Sequence, residues 1–341
     1  MRTIHGFAQH YPWGDTTAIP SILGRAGDGE PWAEWWLGTH PDGPSTLADG
    51  SLLADASGEL PYLLKLLAAA QPLSLQTHPN ADQAMAGFER GDYRDPNAKP
   101  ELLCALTPFD ALCGFRPVVG TELLLNDLGL VELATTLEND GLQSTVAQLY
   151  RGRIDCDVII DECRRHRSPE AELVTQLAEQ YPNDPSVAVT LLLNRVHLRP
   201  GEALFLDAGN LHAYLSGVGV EVMGASDNVI RGGLTDKAVD VDELLSIVRY
   251  DTLDDPVLSP VEVRAGQWRY PTPNAPFELW RFDVIASMSR TAIGRELLVC
   301  TAGDSGVLHR GEAAYLAPSE SIELEGPSTV FCVTESPSTR G

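Results

Sequence analysis

The sequence predicts a mainly β protein with a block of helices inserted into it. Up to about residue 118, short apolar runs are separated by Gly, Pro and Asp, which is typical of strands joined by tight turns. Beyond that point the apolar residues recur at helical spacing, and after about residue 255 short strand-like runs return. We therefore expect a barrel formed by 1–118 plus 197–254, a helical insertion at 119–196, and a smaller β-barrel at 255–341.

The segment SLQTHPN, residues 74–80, is the most informative part of the first barrel. Because side chains alternate along a strand, Ser74, Gln76 and His78 share one face, opposite an apolar face. Three polar groups on one strand face indicate a cavity that holds a ligand. A Gln and a His two residues apart can bind the same metal ion, and Pro79 ends the strand just beyond them.

Two further candidate metal ligands follow later in the chain. Glu101 comes directly after Pro100 in a turn-like segment, and His212 begins a strand after the turn at Gly209. Two imidazoles, a carboxylate and an amide oxygen suit zinc or a similar divalent ion, with open positions for water or substrate. From these residues alone, structural histidines and a hydrogen-bonded core amide are the alternatives.

The helical insertion contains one sharply bounded helix. Ser168 is a typical N-cap, Pro169 occupies the first helical position, and Tyr181 with Pro182 ends the periodic stretch 171–180. Apolar stripes of this kind usually pack into an ordinary core. A separate interaction module is the alternative.

The last part of the chain has the pattern of a small antiparallel barrel. Its apolar runs are separated throughout by turn residues. These runs are 277–282, 296–301, 313–318 and 329–334. His309 stands alone there, without a His-x-His pattern, so we expect no metal in this part.

Composition restricts the class of protein. The chain has 48 acidic and 24 basic residues, a net charge of -24, and no basic stripe, which argues against nucleic acid as a partner. No apolar run is long enough to span a bilayer, and the first residues lack the apolar segment of a secretory signal. The six cysteines form no CxxC pair, which indicates free thiols in a reducing compartment. We expect a cytoplasmic protein that binds neither nucleic acid nor membrane, and the oligomeric state stays open.

Several longer motifs resemble the type I, zinc-dependent mannose-6-phosphate isomerases of the cupin superfamily. They occur in the family's order and cover most of the chain outside its middle and C-terminal parts. The motifs are YPWG (11–14), AEWWLGTHP (33–41), QPLSLQTHPN (71–80), KPELLCALTPFDALCGFRP (99–117), PGEALFLDAGNLHAYLSG (200–217) and SDNVIRGGLTDK (226–237). The resemblance implies two cupin-type jelly-roll barrels, with the helical domain between the two halves of the catalytic barrel.

The resemblance also implies a cofactor and a reaction. Gln76, His78, Glu101 and His212 would bind one zinc ion per chain, and these are the same four residues that the local patterns indicate. The implied reaction interconverts mannose 6-phosphate and fructose 6-phosphate through a cis-enediol, so the expected partner is a small sugar phosphate. Another metal-dependent cupin enzyme, or a non-catalytic sugar-phosphate sensor on the same fold, is the alternative.

Four residues match catalytic positions of the family. Arg231 stays charged and is expected to stabilise the enediolate oxygens rather than to act as a base. Lys99, Glu221 and Asp227 are candidates for proton transfer, and the sequence does not assign the base among them. A solvated Lys99, an ion pair between Glu221 and Arg231, and a turn cap at Asp227 are the structural alternatives.

Phosphate binding by so acidic a chain requires a local cationic pocket. Ser74, which shares a strand face with two candidate ligands, and Lys237 are the expected phosphate-binding residues, with Arg231 and Lys99 as further possibilities. Ala98 departs from the family, because many members have a histidine directly before the lysine. Any contribution of that imidazole to substrate handling is absent here.

Overall fold

Strands dominate the protein, as the sequence predicts. The structure is a computed structural model that describes residues 1–336, so the last five residues of the expected 255–341 segment lie outside it. Strands account for 35% of the residues and helices for 25%, which confirms the mainly β prediction. Within residues 1–336, none of the helices combines the length and the apolar character that a bilayer crossing requires.

The elements are numbered in chain order. The strands are β1 (Arg2–His5), β2 (Phe7–Gln9), β3 (Glu34–Leu37), β4 (Thr46–Leu47), β5 (Tyr62–Ala69), β6 (Leu75–Thr77), β7 (Glu101–Ala105), β8 (Phe109–Phe115), β9 (Leu193–Leu198), β10 (Ala203–Leu206), β11 (His212–Gly224), β12 (Ile230–Gly233), β13 (Val257–Leu258), β14 (Val261–Arg264), β15 (Gln267–Tyr270), β16 (Phe277–Val284), β17 (Ser287–Thr291), β18 (Glu296–Gly303), β19 (Ala313–Leu316), β20 (Ser321–Glu325) and β21 (Ser328–Glu335). The helices are α1 (Ala18–Ile22), α2 (Leu53–Ser57), α3 (Ala81–Arg90), α4 (Val118–Asp127), α5 (Val131–Tyr150), α6 (Cys156–Cys163), α7 (Pro169–Gln180), α8 (Ser186–Val189) and α9 (Val241–Ile247), with a 3-10 turn at Thr190–Leu192.

One long strand, β11, joins the two sheets of the first barrel. Its second half lies between β7 and β5 in a sheet with the order β13-β10-β7-β11-β5-β3-β2. Its first half lies between β6 and β8, in a row completed by β12 and β9. The register shifts between Tyr214 and Ser216, where the strand passes from one sheet to the other. The two sheets therefore enclose a common barrel interior, and side chains from both can point into it.

The C-terminal part of the chain forms a separate eight-stranded sheet, and this sheet includes the N-terminal strand β1. Its order is β14-β15-β16-β21-β18-β19-β1-β4, and β1 pairs with β19 through partners such as Arg2 and Tyr315. This pairing crosses the boundary expected between 1–118 and 255–341. Ile4, Tyr62 and Phe277 belong to one buried cluster, so the two β units share a hydrophobic core.

The helices α4 to α8 follow one another between β8 and β9 and pack onto the first barrel. In α7, the Ser168 side chain accepts a hydrogen bond from the Ala171 amide and Pro169 is the first helical residue, as predicted. Buried side chains of these helices, such as Leu149 and Val174, share a core cluster with Leu75 of β6. The buried apolar side chains of the helices therefore pack against the barrel, as expected of ordinary core, whereas Val119, Leu123, Val131 and Val158 are exposed.

Candidate metal centre and active site

His78, Glu101 and His212 converge in the interior of the first barrel. One ligand atom from each lies within 4.8 Å of the others. The Nε2 atom of His78 lies 3.3 Å from Oε1 of Glu101, and Nε2 of His212 lies 3.4 Å from Oε2. All three residues are at most 2% exposed, and both Nε2 atoms and Oε2 of Glu101 make no hydrogen bond to the described residues. Buried polar atoms are rarely left without partners, so this cluster fits a divalent cation.

The opposite nitrogen of each imidazole is fixed by the backbone. Nδ1 of His78 lies 2.8 Å from the carbonyl oxygen of Asn228, and Nδ1 of His212 lies 3.0 Å from that of Asn210. A carbonyl only accepts, so each Nδ1 carries the proton and each Nε2 presents a lone pair to the centre. Burial also lowers the pKa of His78, which favours the neutral ring that a metal needs.

The carboxylate of the centre stays ionised despite its burial. Burial by itself raises the pKa of Glu101, but the adjacent His78 and Lys99 oppose this and hold the pKa well below its usual range. Nζ of Lys99 lies 3.3 Å from Oε1 of Glu101. Lys99 is only 8% exposed, so it is not the solvated surface lysine of the structural alternative.

Gln76 lies beside this cluster in the sheet. Its backbone is directly opposite His212 in β11 on one side and Arg231 in β12 on the other. Directly opposite residues of antiparallel strands present their side chains to the same face. Arg231, Gln76 and His212 therefore form a row across three strands, and Oε1 of Gln76 accepts a hydrogen bond of 3.4 Å from Ser74. The arrangement is compatible with an amide ligand, and the ligand role of Gln76 stays a prediction.

A second buried polar cluster surrounds Lys65. Its Nζ lies 3.1 Å from a carboxylate oxygen of Glu34 and 3.1 Å from one of Glu221, and Tyr214 donates a 2.8 Å hydrogen bond to Glu221. Burial lowers the pKa of Lys65, but the two carboxylates outweigh it and raise the pKa above the ordinary value. Lys65 is therefore held in its charged form by these two carboxylates. Glu221 pairs with Lys65, so the ion pair with Arg231 that was the structural alternative is wrong.

A cavity of about 730 Å³ lies beside both clusters. Its lining includes Lys65, Lys99, Arg231 and Asp227, so it brings together cations and one of the predicted carboxylates. Its volume is within the range of small-molecule sites. Lys237 is exposed, and neither it nor Ser74 belongs to the described lining of this cavity.

Asp227 joins two loops at the edge of the cavity. Its Oδ1 lies 3.1 Å from Nε2 of His40, and its Oδ2 lies 3.8 Å from Nη1 of Arg94. The Asp42 amide donates a 3.2 Å hydrogen bond to Nδ1 of His40, so the ring proton is on Nε2 and is donated to Asp227. The Asp227 carboxylate thus binds side chains rather than capping a turn.

Sequence reasoning missed several of these residues. Lys65 is the single charge in a strand of eight buried residues, and a buried lysine requires an anionic partner. That signal was available, but the partners Glu34 and Glu221 come from distant strands. His40 and Glu34 lie within the motif AEWWLGTHP, which carried the resemblance without indicating a role for either.

Fold and site together define the class of the protein: a cupin-type β-barrel protein with a buried cluster of two histidines and one carboxylate that could hold a metal ion. A family model described as "Phosphomannose isomerase type I, catalytic domain" matches residues 1–118. The chain therefore belongs, on this match and the similarities below, to the type I phosphomannose isomerase family.

Similarity to proteins of this family extends over nearly the whole chain. The mannose-6-phosphate isomerase of Salmonella typhimurium is 32% identical, over 94% of this chain and 96% of that protein. The human mannose-6-phosphate isomerase is 30% identical over 93% of each. A crystal structure of a mutant phosphomannose isomerase from Salmonella typhimurium superposes with a TM-score of 0.91 at 31% identity, covering 98% of this chain and 99% of that one. The apo form from the same organism gives a TM-score of 0.89 at 30% identity.

Proposed function

We propose that this protein interconverts mannose 6-phosphate and fructose 6-phosphate through a cis-enediol, with one zinc ion bound by Gln76, His78, Glu101 and His212. The observation that carries the proposal is the buried His78–Glu101–His212 cluster beside a cavity whose lining includes four basic residues, Lys65, Arg94, Lys99 and Arg231. The relatives named mannose-6-phosphate isomerase support the choice of substrate.

The donor set suits zinc better than a hard cation. Two imidazoles with free Nε2 lone pairs are preferred by zinc, whereas magnesium and calcium prefer all-oxygen sites. A bound zinc ion supplies Lewis acidity that polarises the sugar oxygens. Ring opening, proton transfer and phosphate binding are carried out by the side chains of the protein.

Ring opening requires a proton to move from the C1 hydroxyl to the ring oxygen. Asp227 is suited to this transfer because it lines the cavity and is one-third exposed, with Oδ1 bound by His40. Oδ2 accepts the C1 hydroxyl proton as the C1–O bond of the ring breaks, and the same proton then passes to the released ring oxygen. His40 orients the carboxylate and holds its charge in place.

Isomerisation then requires a proton to move from C2 to C1. Lys99 lines the cavity, whereas Glu221 does not belong to its described lining and is bound by Lys65 and Tyr214. We therefore assign the proton transfer to Lys99, whose neutral amine form accepts the C2 proton and, as the resulting ammonium, returns that proton to C1; we assign to Glu221 the positioning of Lys65. Lys65 and Arg231 are positively charged, and both stabilise the negative charge of the enediolate.

The phosphate group requires a cation, and an arginine that starts at Asp227, as Arg94 does, must turn its guanidinium away from that carboxylate to bind it. Ser74 and Lys237 are the candidates from sequence, and Arg94 is a further one, since it lines the cavity and its side chain is 75% exposed. Arg guanidinium binds phosphate through two parallel hydrogen bonds. Arg94 is the better placed of the two cations.

A coupled assay for fructose 6-phosphate formation from mannose 6-phosphate, with and without a chelator, tests the proposal. We expect turnover that the chelator abolishes and zinc restores. Sugar-phosphate binding without turnover would instead support the sensor, and a requirement for dioxygen would support another metal-dependent cupin enzyme.

A further inference from the structure

Arg231 lies on β12, a short strand at the edge of its sheet that is also contacted by the helical insertion. Strand β12 is four residues long and, among the described residues, pairs only with β6. Within residues 1–336 the Arg231 guanidinium makes no hydrogen bond or ion pair, although the residue lines the cavity. No side-chain partner therefore fixes the guanidinium, and its position depends on the backbone of β12.

The free edge of β12 is bound by the helical insertion. The hydroxyl of Tyr150, the last residue of α5, donates a 2.6 Å hydrogen bond to the carbonyl of Gly232, directly after Arg231. Tyr150 is only 9% exposed, so loss of this bond would leave a buried carbonyl without its partner.

A second contact follows immediately. The Leu234 amide donates to Oδ2 of Asp184 at 2.7 Å and to Oγ of Ser186 at 3.1 Å. Between these two bonds, Gly233 has φ +137, and a Cβ atom there would lie 2.1 Å from Oγ of Ser186. Asp184 and the first residue of α8, Ser186, therefore lie directly against the β12 backbone, with no room for a side chain at Gly233.

We infer that the helical insertion positions Arg231 for catalysis, with Tyr150, Asp184 and Ser186 as the positioning residues. This inference rests on the proposed function, because it assumes that Arg231 stabilises the enediolate. Preorganised charge is effective only when it is held where negative charge develops, and a misplacement of about 1 Å can cost about 100-fold in rate. The helices thus contribute to the reaction in addition to forming a hydrophobic core with the barrel.

Tyr150→Phe tests the inference, and Tyr250→Phe is its matched control. The Tyr250 hydroxyl also donates to a backbone carbonyl, that of Leu245, at 3.3 Å, and this hydrogen bond does not go to β12. We expect Tyr150→Phe to lower kcat about 10-fold or more, with KM and bound metal nearly unchanged. We expect Tyr250→Phe to keep the wild-type kcat, whatever small change in melting temperature either variant shows.

A double-mutant cycle with Arg231→Lys separates positioning from a general loss of stability. If Tyr150 acts through Arg231, Tyr150→Phe should cost little in the Arg231→Lys background, because residues that act as a unit are not additive. In a second pair, Asp184→Asn keeps an acceptor for the Leu234 amide and should retain more kcat than Asp184→Ala.

Two results would overturn the inference: an unchanged kcat in Tyr150→Phe, or the same fold loss in both Arg231 backgrounds. A wild-type protein without isomerase activity would instead overturn the proposed function, so the two failures are distinguishable.

Discussion

The hydrogen bond from the Asp42 amide to His40 determines which nitrogen of His40 donates to Asp227. Because the Asp42 amide occupies Nδ1, the ring donates from Nε2 to one oxygen of Asp227 and leaves the other for the substrate. The His40 imidazole therefore needs only to donate a hydrogen bond to Asp227. A side-chain amide with an N–H at the position of Nε2 can replace it.

His40→Gln and His40→Leu test this role as a pair. The Gln side chain can present an N–H close to the position of Nε2, so we expect it to keep most of kcat. The Leu variant should lose about 10-fold or more, because acid–base groups contribute about 100- to 10,000-fold when correctly oriented. Turnover and NMR anomer exchange of mannose 6-phosphate measure the effect, and equal loss of both activities in the two variants would contradict it.

Lys65 is a stability determinant as well as a site cation. Lys65→Met leaves Glu34 and Glu221 buried without their counter-ion, so we expect a loss of about 3 kcal/mol or more in the free energy of unfolding. Urea denaturation measures it. The exposed Lys237→Met is the control and should change stability by less than about 0.5 kcal/mol. Equal stability of the two variants would refute the assignment of Lys65 as an essential buried counter-ion.

Phosphate recognition can be localised by comparing two cations. Arg94→Ala should raise KM for mannose 6-phosphate about 10-fold with little change in kcat, since a hydrogen-bonded charge pair of this kind contributes about 1.5–3 kcal/mol. Lys237→Ala should have a smaller effect, because Lys237 lies outside the described cavity lining. Steady-state kinetics of both variants decide the matter, and the reverse order of effects would place the phosphate at Lys237.

At the scale of elements, β11 accounts for the geometry of the site. Its first residue, His212, belongs to one sheet, and its later residue Met223 pairs with Glu101 in the other. The strand changes sheets near Gly217, which has φ +124 and lies so close to Phe109 that a Cβ atom would be 2.6 Å from Cδ2. A glycine is required at this point.

Gly217→Ala should therefore destabilise the protein by about 3 kcal/mol or more, as strain and overpacking add. Gly152→Ala is a suitable control, since its φ of +63 is also left-handed but nothing lies within 4 Å of an added Cβ. It should cost only about 1–2 kcal/mol. Thermal or urea unfolding compares the two, and a Gly217→Ala variant no less stable than Gly152→Ala would refute the account of β11.

Elements were predicted well from sequence where the residues that determine them are close together in the chain. The N-cap at Ser168 and the proline after it are adjacent in sequence, and α7 begins where they indicate. The strand with Gln76 was likewise predicted from its own alternation, but its extent was wrong: β6 covers only Leu75–Thr77, so Ser74 and His78 lie just outside it and it ends before His78 rather than at Pro79. The dual membership of β11 was not predictable, because it depends on partners from four different strands.

At the scale of the whole molecule, long-range pairing is what the sequence did not show. Strand β1 pairs with β19, more than 300 residues later, so the N-terminus completes the sheet of the C-terminal part. Register between such distant strands depends on the assembled core rather than on any local pattern. The same limit applies to the site, because the three centre residues were identified singly, whereas the Lys65 cluster and the His40–Asp227 pair exist only between distant segments.

In the proposed reaction, isomerisation depends on one metal ion bound by His78, Glu101 and His212 with Gln76. Titration of the metal-depleted protein with zinc, followed by the rate of mannose 6-phosphate turnover, tests it most directly. We expect a negligible rate without metal and a linear rise that ends at one zinc ion per chain. A metal-depleted protein with the full rate, or a rate that does not respond to zinc, would contradict it.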